Sequence, residues 1–351
     1  MVIAKNKKIK TLVCILGQTR AQDITWENFN KYLLKPLDAD LALCVAEKKS
    51  KKNKMYKNAK FIWKYKDSND YTKHFDEAQR KLIKLKNLKY KPNWKKLVKI
   101  KHFWLARIKG TSKIKNNIGK YSGGTGALLI YNRWFLLQKI LKNKLIKKYD
   151  RFIITRSDFI WNIHHPKMEN MSTNFIWIPN GEKYGGYTDR HAVLSKENLY
   201  DYLNLIEPIL LEPDVLFDLM KCKDNWNLER YIKFYLKQKG YLHKVKFYPY
   251  LMYSVRDSKT KTTFRPGTYS HKHKYYIKYF KEYLSSMIMF FLIGDKNKKY
   301  TNFFFLNLTY RIFKNLFKLK VILSLFFQNK LVVNKYDKKF VVENLKKKFL
   351  I

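Results

Sequence analysis

Residues 149–161 read YDRFIITRSDFIW. Within them Phe152-Ile153-Ile154-Thr155 is apolar and β-branched, without the alternation of a half-exposed strand. Such a run describes a strand buried on both faces of a parallel sheet. Arg156 and Asp158 then emerge at its carboxyl end, where ligands bind in open α/β sheets. Residues two apart on an extended segment face the same side, so a guanidinium and a carboxylate share one face. Two readings stand side by side. Asp158 holds a divalent cation that bridges a diphosphate while Arg156 offers paired donors to phosphate oxygens, or the two close the strand end as an ion pair.

Upstream, residues 11–16 (TLVCIL) form another buried strand, bounded by Gly17-Gln18-Thr19-Arg20. A helix follows, capped by Asp23 or Thr25, with Trp26, Phe29, Leu33 and Leu34 at helical spacing and Pro36 at its end. Residues 41–46 (LALCVA) and 61–63 give a second and third strand. This alternation is that of an α/β domain. Ser122-Gly123-Gly124-Thr125-Gly126 precedes an apolar-periodic run over 127–146. It is either an anion or sugar-hydroxyl site at a helix N-terminus or a tight turn without a ligand.

Downstream, residues 175–178 (FIWI) are a strand that runs into Asn180, then Tyr184-Gly185-Gly186-Tyr187-Thr188-Asp189-Arg190. A long Gly- and aromatic-rich loop between buried elements suits a polyhydroxylated ligand; an ordinary Gly-rich hairpin is the alternative. Residues 195–219 are helical, and a helix beginning near Asn225 ends near Gly240. Glu229, in its first turn, is a candidate base or a partner of the helix dipole. Residues 247–254 (FYPYLMYS) read as one strand leading to Arg256.

The chain has 351 residues, 46% hydrophobic and 17% aromatic, ample for a core and against global disorder. Its formal net charge is +47, from 74 basic and 27 acidic residues. An AT-rich genome is one source of such a charge; the alternative is an electrostatic footprint for an anionic partner, whether nucleic acid, membrane or phosphorylated substrate. Residues 150–230 hold 13 acidic and 9 basic side chains, whereas 81–120 hold 14 basic and no acidic ones. A net-negative centre argues against a nucleic-acid grip, so no specific nucleic acid is expected as partner. Cys14, Cys44 and Cys222 form no zinc spacing, and the first two sit in apolar runs as buried hydrophobes. The apolar run after the basic residues 1–10 is too short for a signal peptide. The stretches 283–294 and 300–310 fall short of the ~18–20 apolar residues of a spanning helix. Leu308, Ile312, Leu316 and Leu319 recur at helical spacing beside Arg311, Lys314 and Lys318, as in a helix lying on an anionic membrane or one packed on the domain.

The strand into Gly17-Gln18-Thr19-Arg20, the strand-terminal Arg156-Ser157-Asp158 and the Asn180 to Arg190 loop together resemble bacterial GT-A-type glycosyltransferases. Among these, the chain is similar to members associated with lipopolysaccharide or capsule synthesis. The resemblance covers about residues 9–256. It implies an α/β fold, GT-A-like and Rossmann-type, with a mixed, mainly parallel sheet flanked by helices. The expected domain is 9–270, with a basic insert at about 81–120, followed by a basic amphipathic helical tail over 271–351 for membrane-surface attachment. The implied partners are a nucleotide-sugar and a glycan or glycolipid acceptor; the basic segments outside the resemblance add an anionic membrane surface, and the expected location is cytoplasmic, on the inner face of the cell membrane. The resemblance assigns Gly17, Gln18, Thr19, Arg20, Gly124, Arg156 and Asp158 to the nucleotide-sugar. Asn180, Tyr187, Arg190 and Arg256 go to the acceptor or sugar, and Asp189, then Glu229, to catalysis. The family's DxD motif holds Mg2+ or Mn2+; here position 156 is Arg, so Asp158 is the one matching ligand and Arg156 is the alternative neutraliser. A nucleic-acid-binding protein and a non-catalytic peripheral membrane protein are the competing classes.

Overall fold

Three apolar runs of the sequence, 11–17, 40–46 and 151–155, lie next to one another as parallel strands. The computed structural model describes residues 8–46, 53–66, 72–100, 126–223, 226–257, 267–293 and 331–332. In chain order its elements begin with β1 (Thr11–Gly17), α1 (Gln22–Phe29), α2 (Lys35–Leu37), β2 (Asp40–Ala46), α3 (Lys54–Asn58), β3 (Phe61–Tyr65), α4 (Thr72–Leu85) and α5 (Gly126–Lys142). The middle of the chain supplies β4 (Arg151–Thr155), β5 (Phe159–Trp161), β6 (Ile176–Pro179), β7 (Ala192–Ser195), α6 (Lys196–Leu203), α7 (Glu207–Leu211), α8 (Pro213–Met220) and α9 (Leu228–Gln238). The last described elements are β8 (Val245–Tyr248), β9 (Met252–Arg256), β10 (Thr268–Ser270), β11 (Tyr275–Ile277), α10 (Phe280–Ile293) and β12 (Leu331–Val332).

The main sheet has the order β3-β2-β1-β4-β7-β6-β8. Pairing is parallel from β3 to β4 and between β6 and β8, and antiparallel on both sides of β7. This is the expected mixed, mainly parallel α/β arrangement. The central strands are covered on both faces: Leu12 and Cys14 of β1 join one apolar cluster, Val13 and Ile15 the other. The period-two alternation thus splits one apolar run between two layers. On one face lie α4 to α9; on the other lie α1, α10 and a second, antiparallel sheet ordered β12-β10-β11-β9-β5.

Several local expectations need correction. Neither Asp23 nor Thr25 caps α1; its cap is Ala21, in the left-handed region at φ 53°. The helix passes Pro36 through a π turn at Asn30–Leu34 and stops at Asp38. Residues 195–219 divide into α6, α7 and α8, with prolines opening the last two. The single strand expected over 247–254 breaks at Pro249, which has no N–H to donate; β8 joins the main sheet and β9 the second one.

The expected boundary at 270 falls inside the β10–β11 hairpin, where Ser270 pairs with Tyr275. α10 is no appendage: Phe280, Tyr283, Leu284, Ile288 and Met289 are buried in the same cluster as Val13 and Ile153. Part of the basic insert is also built in. Trp94, Leu97 and Val98 are buried, while Lys86 pairs with Glu207 at 3.2 Å and Lys96 with Asp214 at 2.5 Å. Residues 101–120 of the insert and the amphipathic segment 308–319 lie outside the described residues. Among the described residues no helix is long and apolar enough to cross a membrane.

Candidate functional site

The chain runs from β1 outward to β3 on one side, then returns to place β4 on the other side of β1. The carboxyl ends of β1 and β4 therefore flank the point where strand order reverses, the position at which open α/β sheets bind ligands. Ile15 stands opposite Thr155, so the segments 17–20 and 156–158 leave the sheet together. They are clasped there. Ser157 Oγ donates to the carbonyls of Gln18 and Arg20, at 2.9 and 3.1 Å, and Thr25 Oγ1 donates to Ser157 O at 2.6 Å. Gln18 Oε1 accepts from Arg20 Nε at 2.6 Å, and Thr19 Oγ1 accepts from Asn53 Nδ2 at 2.7 Å.

Asp158 is 1% exposed. Arg156 grips it through both carboxylate oxygens, Nε to Oδ1 at 2.8 Å and Nη2 to Oδ2 at 2.7 Å, and Arg256 Nη1 also donates to Oδ2. The second sheet explains the last contact. β5 and β9 are antiparallel with Phe159 opposite Ser254, which brings the start of β5 beside the end of β9. Burial opposes the Asp158 charge, but Arg156 and then Arg256 outweigh it and hold the carboxyl well below the usual range. The strand-end ion pair is therefore present, with a second guanidinium added.

That arrangement bears on whether Asp158 suits Mg2+ or Mn2+. Both Asp158 oxygens accept from guanidinium groups, and a cation there would stand beside two positive charges. Among the described residues no group of three or more His, Cys, Asp or Glu could hold a metal. As arranged, with both Asp158 oxygens held by arginines, these residues do not fit a divalent cation.

A second feature lies in the loop after β6. Asn180 N donates to Tyr248 O at 2.7 Å. Gly186 then passes so close to the start of α9 that a Cβ there would lie 1.8 Å from Glu229 O. Tyr187 N donates to that same oxygen at 3.0 Å. Asn227 caps α9 by accepting from Arg230 N at 2.8 Å, and its amide donates to Tyr184 O at 2.9 Å. Arg133 of α5 holds the far end of the loop, Nη2 to Asp189 O at 2.6 Å. The result joins the two carboxylates singled out in the sequence. Burial first, and the neighbouring Asp189 charge second, raise the Glu229 carboxyl to about 7.

Arg190 and Tyr187, expected to face an acceptor, are packed inside instead. Arg190 is buried, ion-paired to Glu282 of α10 and stacked 3.7 Å from the centre of the Tyr279 ring. Tyr187 is buried with its ring edge against Phe247. Arg256 belongs to the Asp158 cluster. Gly124 lies outside the described residues. Two residues went unnoticed in the sequence. Asn132 of α5, 1% exposed beside Gly17, has neither amide atom hydrogen-bonded, and an Asn in an apolar helix was a usable signal. Lys278 follows β11, and its N donates to Ser254 O at 2.8 Å. Burial, then repulsion from Arg256 and Arg156, bring its amine down to about 7. Nothing in its sequence context, KYYIKYF, distinguishes it from the other lysines.

No family model matches the chain, and no curated protein matches it in sequence. Among solved structures, the apo form of mouse xyloside xylosyltransferase 1 is similar over 68% of this chain and 85% of that one, at 11% identity and a TM-score of 0.34.

Proposed function

We propose that the chain is a glycosyltransferase of hexosyltransferase type that moves a sugar from a nucleotide-sugar to a hydroxyl of a surface glycan or glycolipid. One observation carries this reading: a guanidinium cluster at the strand-order switch point lies beside a carboxylate pair poised to exchange a proton. Arg190 and Tyr279 connect the two, since Arg190 interacts electrostatically with Arg156 and Glu229, and Tyr279 with Arg156 and Asp189. Glycosyl transfer needs both halves. The bond from the anomeric carbon to the diphosphate oxygen breaks and its electron pair leaves on the diphosphate, where positive charge stabilises it. The acceptor oxygen bonds to the anomeric carbon as its proton passes to a carboxylate.

In this reading the 17–20 turn and Arg156 hold the donor, with Asp158 orienting the arginines. Glu229 takes the acceptor proton, and Asp189 keeps it basic enough to do so. Asn180, at the mouth of the loop, is the acceptor-side group. The strongly basic balance outside residues 150–230 favours an acidic glycolipid surface, which would put the enzyme on the inner face of the cell membrane. The test is turnover of a panel of nucleotide-sugars by the full chain. At least one should be hydrolysed or transferred, and Glu229→Gln should lower that rate about 10²–10⁴-fold with donor binding kept. Absence of both binding and turnover across the panel overturns the reading.

A further inference from the structure

The corner that gathers Asp158 carries more positive charge than it neutralises. Arg156, Arg256 and Arg20 interact with one another and with Asp158, and Lys278 faces Arg256, Arg156, Asp158 and Arg190. The Glu282 carboxylate is taken by Arg190 and by Ser254 N and Oγ at 3.0 and 2.9 Å. Arg20, whose side chain reaches solvent, still feels the crowding: burial, then Arg256 and Arg156, make its charge harder to keep. A desolvated cluster of like charges is unfavourable unless an anion completes it.

A separate observation points the same way. Arg256 is 1% exposed, and its Nη1 donates to Asp158 and to Val255 O at 2.7 Å. Its Nε and Nη2 are buried without a partner. Unpaired N–H groups of a buried guanidinium call for an acceptor that is not part of the chain. The geometry has a local cause. β5, β9 and β11 are neighbours in the second sheet: Val255 N donates to Asp158 O and Lys278 N to Ser254 O, both at 2.8 Å, so residues 158 and 278 flank the last residues of β9, which Arg256 ends.

We propose that a diphosphate-type anion binds here without a divalent cation, neutralised by Arg20, Arg256 and Lys278, with Asp158 acting as the brace that holds two of the site's guanidiniums. This rests on the glycosyltransferase reading only for the identity of the anion as a leaving diphosphate. Arg256 offers paired donors to one phosphoryl group, and Lys278, on its flexible stem, follows the charge as it moves onto the departing group.

The test is calorimetric titration of the full chain with inorganic pyrophosphate and with UDP, GDP, ADP and CDP, in EDTA and again in Mn2+ or Mg2+. Pyrophosphate and at least one nucleoside diphosphate should bind in EDTA, with affinity within about threefold of that with metal, well under the tenfold that about 1.4 kcal/mol represents. Lys278→Met and Arg20→Gln should each weaken binding about tenfold or more, and Lys278→Arg should restore most of it. Circular dichroism of each variant establishes that it is folded. Binding only with metal, affinity unchanged in folded Lys278→Met and Arg20→Gln, or no binding of any of these anions overturns the proposal. Its failure is distinct from that of the transferase reading. Metal-requiring turnover sinks the cation-free site and leaves the transferase, whereas chelator-insensitive pyrophosphate binding without turnover of any nucleotide-sugar does the reverse.

Discussion

Glu229 and Asp189 illustrate what a single residue's chemistry owes to its neighbours. Glu229 titrates near 7 because burial and the Asp189 charge both disfavour its ionised form. A base must be ionised to accept a proton, so kcat/KM should climb as pH rises through about 7 and level off above it. Asp189→Asn removes the repelling charge and should shift that limb to lower pH; a limb that stays put would show that the two carboxylates are not coupled. As residue types, both were legible in the sequence as acids next to a Gly-rich loop or at a helix start. Their pairing was not, because 40 positions separate them and a Coulomb interaction depends on distance in space. Asp158 is legible too, as a cation ligand or as half of an ion pair, and the contacts it makes are those of the ion pair. Arg256, which occupies one of its oxygens, lies 98 residues away.

At the scale of elements, strands were read well where burial is two-sided and poorly where a break decided the sheet. β1, β2 and β4 stand out as unbroken apolar runs since both faces are covered. The β8–β9 break at Pro249 looked like one strand because FYPYLMYS is apolar and aromatic throughout. The loop 180–190 and α9 form one unit only because residue 186 has no side chain. Gly186→Ala puts a methyl group into the Glu229 backbone and should cost about 1–3 kcal/mol as an overpacking defect. It should also slow turnover more than it weakens donor binding, since it pushes Glu229 away from Asp189. Urea unfolding and the split between kcat and KM check both parts; unchanged stability would mean that the loop yields without strain.

At the scale of the whole molecule, α10 helps to cover one of the two apolar faces of the main sheet. Arg190 and Glu282 form a buried pair in which burial works against the Arg190 charge and Glu282 outweighs it. Removing one partner of such a pair leaves the other uncompensated, so Glu282→Ala should cost about 3–5 kcal/mol, seen as a lower denaturation midpoint. Glu282→Gln, which keeps an acceptor for Ser254 N, should cost less; equal midpoints for Ala and wild type would set α10 apart from the domain. Composition suggests a tail from residue 271 because the segment mixes lysine with aromatics, yet over 275–289 Tyr275, Ile277, Phe280, Tyr283, Leu284, Ile288 and Met289 are core. The α/β class, the buried central strands, the helices between them and the chemistry-bearing loops were determined by the sequence itself, since each is written in a local period of apolar residues or in a Gly-rich break. Tertiary structure alone decided the strand order, the fate of the 271–293 segment and the partners of Asp158, Glu229 and Lys278. Those depend on which distant strand ends meet, and side chains far apart along the chain acquire their charge states only when folding brings them together and removes water.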